Sequence, residues 1–264
     1  MIIKNFELLT KEIRKIGNLL IKNKKSYEWV EILDIKKNTT VADYKVDKLL
    51  KIALTQFGID IPYYSEEVLH SIGDRPNEYW LADPIDGTSS WLGGFIGYVV
   101  QAVYIKNNEP IFSFIYWPEK DFFYHSYKDN GIFLNNKRII SSSQVGKLVV
   151  VDNYPEARGD IEQLMKKFTN LEYLEMGSLG LKSLLVALGS CDLFIKTTKF
   201  RDWDILPAKL FINEANFKMI NLKGCAFNFG SQIEFNEGLL VYNPLKIDGT
   251  MLKYIEDMEK NFES

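Results

Sequence analysis

The sequence has 264 residues, 46% of them apolar and 25% charged, with 32 basic and 35 acidic side chains that leave a formal net charge of -3. A chain of this length buries about 75% of the surface its unfolded form exposes, so one large domain or two coupled lobes is expected and a disordered chain is excluded. The balanced charge offers no global attraction to a nucleic-acid polymer or an anionic membrane.

Phe6, Leu9, Ile13, Ile16 and Leu20 recur at steps of three and four, which predicts an amphipathic helix that ends in the basic run from Lys22 to Lys25. Lys36, Lys37, Asn38, Thr39 and Thr40 read as a polar loop. A second helix carries Val46, Leu49, Leu50, Ala53 and Phe57, with Gly58 as its stop. Three β-branched and aromatic runs follow: Tyr79 to Leu81, Val99 to Tyr104 and Ile111 to Tyr116. Asn107, Asn108, Glu109 and Pro110 form a hairpin turn between the last two. Gly131 to Asn136 continues the strand-turn pattern. The serines from 141 to 143 mark a lobe boundary, giving expected lobes at 1–142 and 143–264. A strand from Leu148 to Val151 opens the second half. Helices from Ser178 to Leu188 and from Ile205 to Ala215 come next, and strands are expected to the end. Alternating sheets and helices place the chain in the α/β or α+β class with layered sheets.

Cys191 and Cys225 cannot frame a disulfide network and read as reduced thiols. The first residues build no apolar signal core, so a cytoplasmic protein is expected. The longest uncharged apolar stretch, 91–100, contains three glycines and is too short for a membrane span. With only His70 and His125 present, histidine-based zinc sites are disfavoured.

The strongest chemical feature is Asp83-Pro84-Ile85-Asp86-Gly87-Thr88, which follows the strand ending at Leu81. Two carboxylates three residues apart at a strand end can converge on one point. Gly87 removes side-chain bulk, and Thr88 opens a short helix whose free N–H groups suit a phosphate. Asp-Gly is also a common turn, and a lone aspartate before a helix is a common cap. Glu66 lies in Ser65-Glu66-Glu67, and Asp204 in Arg201-Asp202-Trp203-Asp204 before the helix at Ile205, where Asp204 reads as a cap and Pro207 as a first-turn residue. Glu66, Asp83, Asp86 and Asp204 form a hard-oxygen set suited to Mg2+, Mn2+ or Ca2+. Gathered without cations at ~4 Å, each pair would repel by roughly 1–4 kcal/mol.

These motifs, in this order over residues 6–245, resemble the magnesium-dependent, lithium-sensitive phosphatases of the inositol monophosphatase superfamily, most closely the 3'(2'),5'-bisphosphate nucleotidase branch. Supporting matches are Thr40-Val41-Ala42-Asp43, Gly177-Ser178-Leu179-Gly180-Leu181-Lys182, and Trp203-Asp204 followed ten residues later by Glu214-Ala215. Where relatives carry two glycines after that pair, this chain has Asn216 and Phe217. The resemblance implies an αβαβα sandwich of the sugar-phosphatase type, with two lobes completing one site. It implies two or three Mg2+ ions, or Mn2+, held by Glu66, Asp83, the Ile85 carbonyl, Asp86 and Asp204. It makes Glu66 and Thr88 the pair that activates the attacking water, with Thr88 relaying a proton to Glu66. Asp86, Gly87 and Thr88 would hold the phosphate. Asp43 is either an outer carboxylate serving a weaker ion or the second member of a helix capping box.

Substrate contacts are expected from Gly177, Ser178, Lys182 and Arg201. The stretch from Ile195 to Arg201 carries three basic residues and no acid, which suits an ester with a second negative group. The favoured substrate is 3'-phosphoadenosine 5'-phosphate, with inositol-1-phosphate or fructose 1,6-bisphosphate as alternatives. A phosphate or metal sensor would not need the Glu66–Thr88 pair, and a glycosidase would not need the Gly-Thr helix start. The expected partner is a small-molecule phosphate ester, with no nucleic-acid polymer and no membrane, and the chain is a monomer or homodimer.

Overall fold

The computed structural model describes residues 6–35, 39–56, 61–68, 75–142, 146–229 and 232–259. Helix α1 (Phe6–Asn23) buries Leu9, Ile13, Ile16 and Leu20, the stripe its spacing predicts. A helical turn, α2 (Tyr27–Val30), leads to strand β1 (Ile32–Asp34), which pairs with β2 (Thr39–Thr40). Helix α3 (Val41–Thr55) starts at once, so Thr39 and Thr40 are strand and not loop. Lys36, Lys37, Asn38, Phe57 and Gly58 lie outside the described residues, as does the expected lobe boundary at residue 143.

The next strands are β3 (Tyr63–Ser65) and β4 (Glu78–Asp86), followed by the short helix α4 (Thr88–Leu92). Strands β5 (Val99–Lys106), β6 (Glu109–Trp117), β7 (Phe122–Tyr127), β8 (Ile132–Leu134) and β9 (Lys137–Ile139) complete a seven-stranded sheet in the order β3-β4-β5-β6-β7-β8-β9. The β5–β6 turn is the predicted one. Asn107 and Asn108 take φ of 52° and 62°, the left-handed geometry that two-residue hairpins require. Asn135 and Asn136 repeat it between β8 and β9 at 47° and 66°.

The rest of the chain runs β10 (Leu148–Asp152), α5 (Gly159–Lys167), β11 (Leu171–Glu175), α6 (Leu179–Ala187), β12 (Leu193–Lys196), β13 (Phe200–Arg201), α7 (Asp202–Glu214), β14 (Lys218–Ile220), β15 (Glu234–Phe235), β16 (Leu239–Tyr242) and α8 (Gly249–Glu259). Five strands form a second sheet in the order β11-β10-β12-β16-β14, with β10 parallel to β11 and β12. Strands β13 and β15 form a separate pair.

Apolar contacts order these elements into five layers. α1 and α3 pack on one face of the large sheet through Leu9, Val46, Ala102 and Phe114. α6 and α7 fill the space between the sheets, with Leu184 and Phe211 meeting Ile115 on one side and Phe194 and Val241 on the other. α5 and α8 cover the outer face of the second sheet through Leu164, Met251, Val150 and Leu240. This is the expected αβαβα sandwich.

Three expectations are corrected. The last described element is a helix, α8, where strands were expected. Helix α5, nine residues long with Ile161 and Leu164 buried, was not anticipated. Helix α7 starts at Asp202 and not at Ile205, so Pro207 lies inside the helix. No helix among the described residues is long and apolar enough to cross a membrane.

Candidate active site

The site begins with a fault in β4. The expected strand stops at Leu81, but the observed one continues through Asp86. Asp83 pairs with Gln101 and Asp86 with Val99, with a register shift between them. In a regular strand, residues three apart point to opposite faces. One extra residue turns both carboxylates to the face of Gln101 and Val99, toward α6 and α7. Pro84 sits in this bulge, where its missing N–H removes nothing from the ladder. Gly87 then takes φ of 94°, and Thr88 opens α4.

Three carboxylates from three segments converge there. Glu66 follows β3, which runs parallel to β4, and its N–H donates to the Ala82 carbonyl at 3.3 Å. Asp204 sits in the first turn of α7, where its Oδ2 accepts the Arg201 N–H at 2.7 Å. Oxygen atoms of Glu66, Asp83 and Asp204 all lie within 4.8 Å of one another. Burial, followed by the charges of neighbouring acids, pushes the Glu66 pKa up to about 8 and raises Asp83 and Asp204 well above the usual carboxylate range. Nearby basic groups offset little of this: Arg201 acts weakly on Glu66, and Lys196 on Asp204. Hard oxygen donors gathered out of water with such poor compensation fit a divalent cation.

Asp86 stands apart from this trio. Its carboxylate caps α6, accepting the Gly180 N–H at 2.6 Å, the Leu179 N–H at 3.2 Å and the Ser178 hydroxyl. Ser178 is fully buried in that cap, where its hydroxyl is taken up by Asp86. The Ile85 carbonyl lies 2.9 Å from Thr88 Oγ1 and competes with Asp43 for its one hydroxyl proton.

Thr88 and Glu66, the expected water-activating pair, line one cavity. Thr88 Oγ1 lies 3.0 Å from Asp43 Oδ1, and no hydrogen bond joins it to Glu66 among the described residues. Of the two readings of Asp43 the structure shows the capping box. Its Oδ2 accepts the Thr40 N–H at 2.7 Å and the Thr40 hydroxyl at 2.6 Å, forming the capping box, while its Oδ1 faces Thr88. Burial raises the Asp43 pKa, against the pull of its Thr40 and Thr88 hydrogen bonds.

Two cavities adjoin at Asn153 and Tyr154. The acidic one, about 570 Å³, contains Glu66, Asp83, Asp204, Gly87, Thr88 and Gly177. The second, about 330 Å³, is lined by Lys182, Lys196, Arg158 and the start of α5. Lys182 is buried over the Phe194 ring, with its ammonium on Asn153 Oδ1. Desolvation lowers its pKa to about 8, against the pull of Asp152 and Asp86. Arg201 lines neither cavity. It pairs with Glu234 at 3.4 Å and lies over Trp203.

A model of the Inositol monophosphatase family matches residues 6–259. The chain belongs to the inositol monophosphatase family. It is 25% identical over 255 residues to the fructose-1,6-bisphosphatase/inositol-1-monophosphatase of Thermotoga maritima, covering 93% of this chain and 96% of that one. To the 3'(2'),5'-bisphosphate nucleotidase CysQ of Haemophilus influenzae it is 28% identical over 198 residues, covering 71% and 73%. Among solved structures, an IMPase/NADP phosphatase complexed with Mg2+ and phosphate superposes with a TM-score of 0.76 at 21% identity, covering 94% of this chain and 93% of that one. The Thermotoga maritima IMPase superposes at 0.75 and 21%, covering 97% and 98%. At these identities the structures establish a shared fold.

Inositol monophosphatase family membership sharpens what the motifs left open. The glycine position after Glu214-Ala215 is taken by Asn216 at φ 57°, a left-handed helix end that asparagine tolerates. Glu214 accepts the N–H groups of Asp129 and Gly131, so this signature braces a turn far from the carboxylates in sequence. Sequence reasoning missed Asn153, Tyr154 and Phe95, which line the acidic cavity. Asn153 and Tyr154 follow β10, at the carboxyl end of a parallel strand, and that position is the signal that points to them. Phe95 carries no comparable signal.

Proposed function

We propose that this chain is a Mg2+-dependent phosphomonoesterase, with 3'-phosphoadenosine 5'-phosphate as its favoured substrate. The observation that carries this reading is the Glu66–Asp83–Asp204 trio beside the Thr88–Asp43 pair. The trio would hold Mg2+, or Mn2+, as two or three ions, with the Ile85 carbonyl and Asp86 as further oxygen donors. Such ions, when bound, neutralise phosphate charge and acidify water.

The chain's own groups supply the rest. Among the described residues the N–H groups of Gly87 and Thr88, at the start of α4, make no hydrogen bond and would receive phosphate oxygens. Water attacks phosphorus and the ester P–O bond breaks; the leaving oxygen takes a proton from solvent water to depart as the alcohol, and the proton received by Asp43 is later released to solvent. The attacking water gives a proton to Thr88 Oγ1, whose own proton passes to Asp43 Oδ1. Burial makes Asp43 a stronger base than an exposed aspartate, which suits it to receive that proton. Residues 1–142 supply Asp43, Glu66, Asp83 and Thr88, and residues 143–264 supply Asp204, so two lobes complete one site.

The neighbouring cavity supports the choice of ester. Lys182, Lys196 and Arg158 offer positive charge to a second anionic group, as a bisphosphate requires. The CysQ relative is named as a nucleotidase that acts on such a molecule. The longer alignment with a fructose-1,6-bisphosphatase/inositol-1-monophosphatase supports a sugar phosphate as the second reading.

A phosphate-release panel with Mg2+ tests the choice, comparing 3'-phosphoadenosine 5'-phosphate, inositol-1-phosphate and fructose 1,6-bisphosphate at matched concentrations. The nucleotide should give the highest kcat/KM, and EDTA should abolish turnover. Preference for inositol-1-phosphate overturns the substrate. Binding of Mg2+ and phosphate with no turnover of any ester would leave a sensor.

A further inference from the structure

The acidic cavity has an aromatic residue at its edge that the phosphate chemistry does not use. Phe95 lines it, yet its side chain remains 52% exposed. It belongs to the loop 93–98 between α4 and β5, and this loop is held from several directions. The Phe95 N–H donates to the Ser90 carbonyl at 2.9 Å, and the Phe95 carbonyl accepts from Lys24 Nζ at 3.3 Å. The next carbonyl, of Ile96, accepts from Trp117 Nε1 at 2.6 Å. The Gly97 carbonyl accepts the Ser178 N–H at 2.8 Å.

Glycines key the same loop to the phosphate seat. A Cβ on Gly87 would come within 2.8 Å of the Gly97 carbonyl, and one on Gly97 would lie 2.4 Å from the Gly177 nitrogen. Three backbones therefore touch directly beside Thr88. A Cβ on Gly93 would meet the Phe95 ring at 2.8 Å, so Gly93 makes the room in which that ring lies. The loop backbone thus has a fixed place relative to Gly87 and Thr88, with the Phe95 ring beside Gly93.

A second aromatic residue lines the same cavity from the other sheet. Tyr154 is 45% exposed, and its carbonyl is tied to the Tyr173 hydroxyl at 2.6 Å. The Arg158 guanidinium lies 5.2 Å from its ring centroid. Tyr154 also lines the basic cavity. Tyr154 thus lies where the two cavities meet, and Phe95 lies on the acidic one.

We propose that Phe95 and Tyr154 are specificity-determining residues that receive the nucleobase of a nucleotide substrate by stacking on its planar face. The inference rests on the nucleotidase reading and deepens it by assigning the base a place. Stacking a base on an aromatic side chain contributes about 1–3 kcal/mol, so each ring should change affinity by about 5- to 150-fold. Stacking acts on the base in substrate and transition state alike, so the effect belongs in KM and not in kcat.

Steady-state kinetics of Phe95→Ala, Phe95→Tyr and Tyr154→Ala with Mg2+ test this. The substrates are 3'-phosphoadenosine 5'-phosphate, the same ribose bisphosphate lacking its base, and inositol-1-phosphate. Phe95→Ala and Tyr154→Ala should each raise KM for the nucleotide at least fivefold with kcat within about twofold. KM for the base-free bisphosphate should stay unchanged, and Phe95→Tyr should behave as wild type. Equal losses on the nucleotide and the base-free ester would mean that the loop merely shapes the site, and would overturn the inference. Wild-type turnover of the nucleotide with Phe95→Ala and Tyr154→Ala indifferent overturns the pair alone. A wild type that ignores the nucleotide overturns the substrate reading and the pair together.

Discussion

The side-chain amide of Gln101 donates to the Trp203 carbonyl at 3.0 Å. In an uninterrupted helix that carbonyl would accept the N–H of residue 207, which here is proline. Gln101, fully buried on β5, supplies the missing donor, and it also lies 3.3 Å from the Asp204 carbonyl and from Asp86 Oδ2. A defect in α7 is thereby repaired from the large sheet, at the turn that carries Asp204.

Gln101→Leu should therefore cost about 1–3 kcal/mol of stability, the penalty for an orphaned buried carbonyl. Urea unfolding measures it. Adding Pro207→Ala restores an N–H to the helix and should recover part of the loss. Strictly additive single and double variants would mean that the two sites are not coupled through this carbonyl.

The carboxylate trio sets stability against metal binding. Folding raises the pKa of Glu66 to about 8 and those of Asp83 and Asp204 well above the usual carboxylate range. A raised folded-state pKa means that stability is lost as pH rises through it, so the metal-free protein should weaken toward pH 9. Asp204→Asn removes one of the repelling charges and should stabilise the metal-free protein at pH 9 by about 1–4 kcal/mol. Mg2+ at 100 times its Kd should add about 2.7 kcal/mol to the wild type and almost nothing to the variant. Equal Mg2+ stabilisation of both proteins in thermal unfolding would remove Asp204 from the metal set.

The Thr88–Asp43 hydrogen bond makes a different prediction from a Thr88–Glu66 relay. Thr88→Ala should lower kcat by about 100-fold or more, whereas Thr88→Ser keeps the hydroxyl and most of the rate. Asp43→Asn should match the kcat loss of Thr88→Ala and also weaken the start of α3, by about 1 kcal/mol in chemical denaturation. Full activity in a folded Asp43→Asn variant would exclude it as the proton acceptor.

His125 is a buried acid-sensitive point remote from this chemistry. It stacks on Phe133 at 5.0 Å and 3°, and among the described residues neither buried ring nitrogen makes a well-aligned hydrogen bond. Desolvation lowers its pKa from 6.5 to about 4, opposed only in part by nearby Asn136. A depressed folded-state pKa means that stability is intact above 6.5 and is lost as pH falls toward 4, by up to about 3 kcal/mol. His125→Phe should flatten that decline. Parallel pH–stability curves for variant and wild type between pH 7 and 4 would show that His125 does not carry the acid sensitivity.

The sequence by itself determined the local pieces: the α1 stripe, the Asn107–Asn108 hairpin, the Thr40–Asp43 cap, and the motifs whose carboxylates meet. Each depends on residues close together in the chain, where periodicity and turn chemistry act directly. Tertiary structure decided which partner each polar group took. Thr88 faces Asp43 and not Glu66 because α3 delivers that carboxylate from 45 positions away. Asp86 and Ser178 turn to each other because α6 places its unpaired N–H groups against β4. Arg201 goes to Glu234 through the β13–β15 pairing, and Gln101 finds its role only because Pro207 leaves a carbonyl bare on a helix packed against its strand. A buried donor or acceptor must be satisfied by whatever packing brings near, and spacing along the chain does not encode that neighbour.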